Sequence, residues 1–154
     1  MCNTKLNLPA FEMRHQLRDG REEIFDFVRQ IWVLNTPEEY VRQHLLHYLI
    51  EQLEVPRGLL AVEMPIKVNG MDRRCDIVIY TNSGKPKMIV ECKAPTVKIT
   101  QKAVDQAGSY NLTLKTPFLL ISNGLQHYSF SIDYRKQETQ MLNFIPDYTY
   151  LLTH

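Results

Sequence analysis

Asp76, Glu91 and Lys93 are two carboxylates and an ammonium whose spacing puts them near the ends of two apolar runs that read as neighbouring strands. Residues two apart in a strand face the same side, so Glu91 and Lys93 share one face while Val90 and Cys92 take the other. Two charges on one face of a core strand need a reason, because unpaired buried charge is expensive. Ten Glu and nine Lys in 154 residues supply about 0.6 Glu-x-Lys pairs by chance, so the spacing alone decides nothing. The context decides more. The pair ends the run Met88-Ile89-Val90, and the preceding strand brings Asp76 at the head of Ile77-Val78-Ile79. The two carboxylates and the Cys92 backbone carbonyl form a hard oxygen set of the kind that suits Mg2+, which keeps several waters and takes one or two protein carboxylates; Mn2+ is expected to substitute. A divalent cation beside a fixed ammonium suits phosphate-ester hydrolysis, where negative charge builds on the phosphoryl group. The plain alternative is an ion-pair cluster at a strand end.

The elements that must position these groups are legible from period and punctuation. Thr36-Pro37-Glu38-Glu39 is a helix start, with Thr36 as N-cap, Pro37 where a missing N–H costs nothing, and Glu39 closing a capping box. The helix is expected over 37–53, burying a stripe of Tyr40, Val41, Leu45, Tyr48, Leu49 and Leu53, with Val55-Pro56-Arg57-Gly58 ending it. The period then becomes strand-like. Residues 59–68 and 73–80 flank Asn69-Gly70, the strongest two-residue hairpin signal, and 87–93 is a third strand. Thr100 caps a second helix over 100–114; residues 118–121 and 125–130 read as strands around Asn123-Gly124, with a last strand in 139–145. At the N-terminus a hairpin is expected over 11–24, turning at Asp19-Gly20, followed by a helical turn at 25–30. The expected fold is one α/β domain over 1–154: a mixed central sheet flanked by helices, core at 36–130, with an N-terminal β-hairpin extension.

Composition bounds the function. A chain that is 44% hydrophobic and 23% charged, with 6 Gly and 8 Pro, is neither disordered nor fibrous. Apolar runs of four or five residues are far too short to cross a bilayer, and the first residues carry no long apolar stretch of a secretory signal. A cytoplasmic protein is expected, with Cys2, Cys75 and Cys92 as reduced thiols. The net charge of +1 hides an asymmetry: residues 64–115 hold nine Lys and Arg against four Asp and Glu. Arg73, Arg74, Lys98 and Lys102 in that stretch are candidate phosphate contacts.

Asp76, fourteen residues and then Glu91-Cys92-Lys93 resembles the bipartite motif of the PD-(D/E)XK nuclease superfamily. Longer blocks resemble the N-terminal nuclease domain of type I restriction enzyme R subunits. They are Arg74-Cys75-Asp76-Ile77-Val78-Ile79, Gly84-Lys85-Pro86, Ile89-Val90-Glu91-Cys92-Lys93-Ala94-Pro95 and Gln106-Ala107-Gly108-Ser109-Tyr110. Thr36-Pro37-Glu38-Glu39 with Val41-Arg42-Gln43 upstream, and Ser122-Asn123-Gly124 downstream, extend the likeness over about 25–147. Cys75 stands where the superfamily motif has Pro. The resemblance implies a restriction-endonuclease-like fold and Mg2+-dependent hydrolysis of DNA. Asp76 and Glu91 would hold the metal, Lys93 would orient the attacking water or stabilise the phosphorane, and Gln106 with Tyr110, one helical turn apart, would be the group's additional motif. Asn123 joins the candidate nucleic-acid contacts. Glu39, as a helix carboxylate, and Glu63, near Asp76, are further metal candidates; His44 and His47 with Glu51 make a looser zinc-like pattern. The chain has no GxxxxGK[ST] phosphate loop, so no ATP site is expected in it. A separate motor or specificity subunit is an expected partner beside DNA; RNA and a homodimer stay open. The competing reading is a catalytically silent nucleic-acid-binding or assembly module of a restriction complex.

Overall fold

The computed structural model describes residues 4–154 and opens with β1 (His15–Arg18), β2 (Arg21–Asp26) and β3 (Ile31–Leu34), an antiparallel sheet in the order β1-β2-β3. Cys2 lies outside the described residues. The expected N-terminal hairpin is present and one strand larger. The helical turn expected at 25–30 is reduced to a single α-type turn, the Gln30 N–H donating to the Asp26 carbonyl at 2.8 Å. β2 runs on to Asp26, whose Oδ1 accepts the N–H groups of Val28 and Arg29 at 2.9 Å each, and this side-chain-capped turn reverses the chain into β3.

Helix α1 (Pro37–Glu51) starts where the sequence places it: Thr36 Oγ1 accepts the Glu39 N–H at 3.1 Å. The reciprocal half of the capping box is absent. The Thr36 N–H donates to the Leu34 carbonyl at 2.9 Å, and the Glu39 carboxylate turns to arginines instead. The helix stops two residues before the expected 53, with Glu54 at φ 60 in the left-handed region and the Val55 N–H returning to the Leu49 carbonyl.

A six-stranded sheet follows, built from β4 (Leu60–Val68), β5 (Met71–Tyr80), β6 (Pro86–Cys92), β7 (Phe118–Ser122), β8 (His127–Asp133) and β9 (Glu138–Leu142), in that spatial order. Asn69 and Gly70, at φ 51 and 77, make the two-residue turn between β4 and β5. Strands β6 and β7 are the parallel pair, and α2 (Gln101–Leu114) is the crossover that parallel neighbours require. The remaining neighbours are antiparallel. A short α3 (Tyr148–Thr153), capped by Asp147 and anchored by the fully buried Leu151, follows Pro146. It was not expected, since six residues are too few to display a helical period.

The sheet is covered on both faces. On one, Val41, Leu45, Leu46 and Leu49 of α1 and Leu151 of α3 pack on Ile77, Ile79, Met88, Val90 and Leu120. On the other, Ala107, Val104 and Tyr110 of α2 pack on Val78, Ile89, Leu119 and Ile121. Double coverage is why β6 and β7 read as unbroken apolar runs. Leu49 is fully buried, and Leu49→Ala is expected to cost about 3 kcal/mol, read as a lower denaturation midpoint at unchanged slope. Behind the β7–β8 turn, Gly124 sits at φ 84 and a Cβ there would meet Leu6 Cδ2 at 2.8 Å, so glycine lets the N-terminal segment strap across this turn.

Candidate active site

The antiparallel register of β5 and β6 pairs Ile77 with Val90, and one step further along it sets Asp76 opposite Glu91. The register of β4 and β5 sets Glu63 opposite Asp76 in the same way, although Glu63 leaves the ladder at φ 54. Three carboxylates thus stand in one row where β4 and β5 run on beyond the end of β6. Strict alternation also breaks there: Ile77 packs in the α1-side cluster, while Cys75 packs in the α2-side cluster with Met64. Cys75 and Cys92 therefore lie on opposite faces of the sheet. Each is buried, and burial raises its thiol pKa, to about 12 for Cys75.

Asp76 Oδ2 accepts the backbone N–H of Cys92 at 2.7 Å, which ties β5 to the end of β6 through a side chain. Its Oδ1 lies 3.4 Å from Arg42 Nη1. Glu91 is 7% exposed, and its buried Oε1 meets no hydrogen-bond donor among the described residues. Burial, followed by the neighbouring Asp76, pushes the Glu91 carboxyl up to about 9. Asp76 is also raised by burial, with the Cys92 N–H and Arg42 pulling the other way. Lys93 follows β6, its backbone N–H bonded to the Ser122 carbonyl at 2.8 Å; its charge acts on Asp76, Glu91 and Glu38. A cavity of about 530 Å³ opens beside Asp76, lined by Thr36, Glu38, Arg42, Glu63 and Ala94 among others.

These residues fit a small hard cation. Two facing carboxyls, one with a buried oxygen that meets no donor among the described residues, match the one or two carboxylates that Mg2+ takes. No group of three or more His, Cys, Asp or Glu among the described residues is arranged as a metal cage.

Other sequence-predicted residues fall at varying distances from this row. Gln106 Nε2 donates to Tyr110 Oη at 3.2 Å on α2, and Tyr110 packs against the cluster that contains Ile89 and Cys75. Among the described residues, neither reaches Asp76, Glu91 or Lys93 by a hydrogen bond. Arg73 and Arg74 are exposed on the projecting part of β5, Arg74 lying 3.5 Å from Glu63; Lys98 and Lys102 are exposed on the loop after Lys93 and the first turn of α2. Asn123 is 4% exposed and its amide is used internally. Nδ2 donates to the Val97 carbonyl at 2.9 Å, and Oδ1 accepts from Leu125 and Gln126. It holds the loop that carries Lys98 against the β7–β8 turn and is not placed to meet nucleic acid. Both oxygens of Glu39 are taken by Arg29, Arg42 and Gln43.

His44 and His47 do not form a metal site with Glu51; they belong to an aromatic stack. Phe11 lies 3.6 Å from the His47 ring and Phe27 4.0 Å from it, while His44 Nδ1 is bonded to the Tyr40 carbonyl at 2.8 Å. Burial, then His44, pushes His47 down to about 4. A histidine held neutral in the fold gains its proton on unfolding, so its contribution is complete above the ordinary pKa of 6.5 and is lost as pH falls toward 4. His47→Phe is expected to flatten that acid-side loss of melting temperature between pH 6.5 and 4.

The sequence reading missed Asp26, Arg29 and Glu38. Glu38 stands at the cavity mouth, its carboxyl raised by partial burial and by Asp76. Asp26 is wholly buried, bonded to Arg29 Nε at 2.6 Å and Gln43 Nε2 at 3.0 Å. The only local signal was Asp26-x-x-Arg29 inside a turn; the partners lie on α1 and β4.

Residues 37–146 match the family model described as type I restriction enzyme R protein N terminus. Among solved structures, the fold is similar to that of a fragment described as an HsdR subunit of a type I restriction enzyme from Vibrio vulnificus YJ016. The two share 21% identity at a TM-score of 0.55, and the match covers 77% of this chain and 25% of that one. No curated protein matches. The chain spans about a quarter of the length of the solved relative.

Proposed function

This chain belongs to the family of type I restriction enzyme R protein N-termini, and from that premise we propose that it is a nuclease domain of the PD-(D/E)XK kind that hydrolyses DNA with Mg2+. The observation that carries the proposal is the juxtaposition of Asp76 with a buried Glu91 whose Oε1 meets no donor among the described residues, two residues from Lys93. When bound at Asp76 and Glu91, with the Cys92 carbonyl beside them, Mg2+ would supply Lewis-acid polarisation of a phosphoryl oxygen. The chain's own contributions are positional and electrostatic. Asp76 is oriented by the Cys92 N–H, so its free lone pairs are aimed before substrate arrives. The Lys93 ammonium offsets negative charge as it develops on the phosphoryl group or orients the attacking water. Arg73 and Arg74 project beyond the site on β5, where they can take the sugar-phosphate backbone. Gln106 and Tyr110 line the α2 side as substrate contacts.

Substrate selection and translocation would come from specificity and motor components of a restriction system. DNA is the favoured polymer, with RNA as a comparison substrate in the assay; a cut through both strands would use two copies of the site. The test is incubation of supercoiled plasmid, single-stranded DNA and RNA with Mg2+ or Mn2+, using wild type beside Asp76→Asn. Nicking by the wild type alone supports the proposal. Equal nicking by both proteins, or a wild type that neither cuts nor takes up Mn2+, refutes it.

A further inference from the structure

Arg42 is a buried cation beside the carboxylate row, yet its ion pair with the carboxylate at the centre of that row is a long one, 3.4 Å. Arg42 is 7% exposed, and its guanidinium grips Glu39 with two bonds, Nε to Oε2 at 2.7 Å and Nη2 to Oε1 at 2.5 Å. Toward Asp76 it offers only Nη1 at 3.4 Å, well outside the 2.7–2.9 Å of a charge-assisted bond, and toward Glu63 only Nη2 at 3.3 Å. Glu39 in turn is braced from behind. Arg29 Nη2 reaches its Oε1 at 3.1 Å, and Arg29 is fixed by the buried Asp26 through Nε at 2.6 Å. Asp26 belongs to β2 and Arg29 to the turn that follows, both ahead of the family match that begins at residue 37.

Buried ion networks are poor stabilisers compared with apolar packing, because desolvation consumes most of the Coulombic gain. This one has a geometric consequence that packing could not supply. A guanidinium left without its best partner in a buried site re-pairs with the nearest carboxylate, since an unmatched buried charge costs several kcal/mol. Here two carboxylates lie almost equally near, Glu63 at 3.3 Å and Asp76 at 3.4 Å, and the more buried Asp76, 17% exposed at its side chain against 39% for Glu63, is where a matched charge counts for more.

We propose that Glu39 is a positioning residue: braced by Asp26 and Arg29, it holds Arg42 back from Asp76 and so keeps Asp76 available to a divalent cation. The small sheet β1–β3 thereby becomes part of the site. This rests on the reading of Asp76 and Glu91 as metal ligands and assigns Glu39 a role other than ligation.

The test is Mn2+ affinity, measured without DNA by calorimetry and by electron paramagnetic resonance, for wild type, Glu39→Gln, Arg42→Gln and the double variant. Glu39→Gln is expected to weaken Mn2+ about tenfold by releasing Arg42 onto Asp76. The double variant is expected to bind within about threefold of Arg42→Gln, because the competing cation has gone. Arg29→Gln loosens the same brace from the β-sheet side and is expected to weaken Mn2+ in the same direction, again with rescue by Arg42→Gln; it serves if Glu39→Gln does not fold. A double variant no tighter than Glu39→Gln would make Glu39 a ligand or a packing residue and overturn the proposal, as would unchanged affinity in Glu39→Gln. A wild type that takes up no Mn2+ removes the metal-site reading itself, and the brace with it.

Discussion

Lys93→Met is expected to lower phosphodiester cleavage about 10²–10³-fold while Mn2+ uptake persists, the size of effect seen when one preorganised electrostatic group is removed from a site. Methionine keeps most of the stem, and the Lys93 backbone N–H still holds the Ser122 carbonyl, so β6 and β7 stay joined. What disappears is a positive charge acting on Asp76, Glu91 and Glu38. Loss of that charge makes the carboxylates no worse as cation ligands, so binding and chemistry separate. Asp76→Asn behaves differently: its carbonyl oxygen can still accept the Cys92 N–H now held at 2.7 Å, but the negative charge is gone, and uptake and cleavage fall together. Single-turnover cleavage beside Mn2+ titration distinguishes the two. A Lys93→Met protein that cleaves within threefold of wild type would take Lys93 out of the chemistry.

Divalent-metal uptake is expected to release close to one proton per site at pH 7.5 and to tighten by roughly tenfold per pH unit until the Glu91 carboxyl has titrated near pH 9. The origin is the neutral Glu91, raised first by burial and then by Asp76. A cation takes that proton's place, so more alkaline buffer means less proton competition. The sign for folding is opposite. The folded carboxyl titrates near 9 against an ordinary 4.5, so its contribution to stability is complete below 4.5 and is lost as pH climbs toward 9. Glu91→Gln, neutral at every pH, should flatten that alkaline decline in metal-free protein and take up no Mn2+. Calorimetry in buffers of different ionisation enthalpy counts the protons. Affinity independent of pH, with no proton released, would show that Glu91 is ionised before the metal arrives.

Helix α1 and the β4–β5 hairpin show how far local chemistry reaches. A Thr N-cap followed by Pro, and an Asn-Gly pair that tolerates positive φ, act over two or three residues, so both features appear where the sequence places them. The sequence set Asp76 at the head of one apolar run and Glu91 and Lys93 at the end of the next, and these runs are neighbouring strands; their register passes through a five-residue connection and an irregularity at Ile79 and Tyr80 that local pattern does not specify. The third strand of the N-terminal sheet was not legible. Residues 25–30 have no strong helical or strand period, and their path depends on a carboxylate that caps its own turn. β9 and α3 were misplaced or missed because five or six residues on a sheet edge or after a proline carry too little pattern.

By itself, the sequence determined the order of the long elements, the Asn69-Gly70 hairpin that joins two of the strands carrying the charges, and a resemblance that the family match to residues 37–146 supports. Only the tertiary structure decided which carboxylates remain free. Glu38 and Glu39 are neighbours in sequence, equal in chemistry and both border the cavity, yet it is Glu39 whose two oxygens are held by arginines. That division depends on Asp26 and Arg29, brought against α1 from another sheet. The reason is physical. Hydrogen-bonded register and turn geometry are short-range and written in adjacent residues, whereas the protonation and pairing of buried charges depend on every group packed around them.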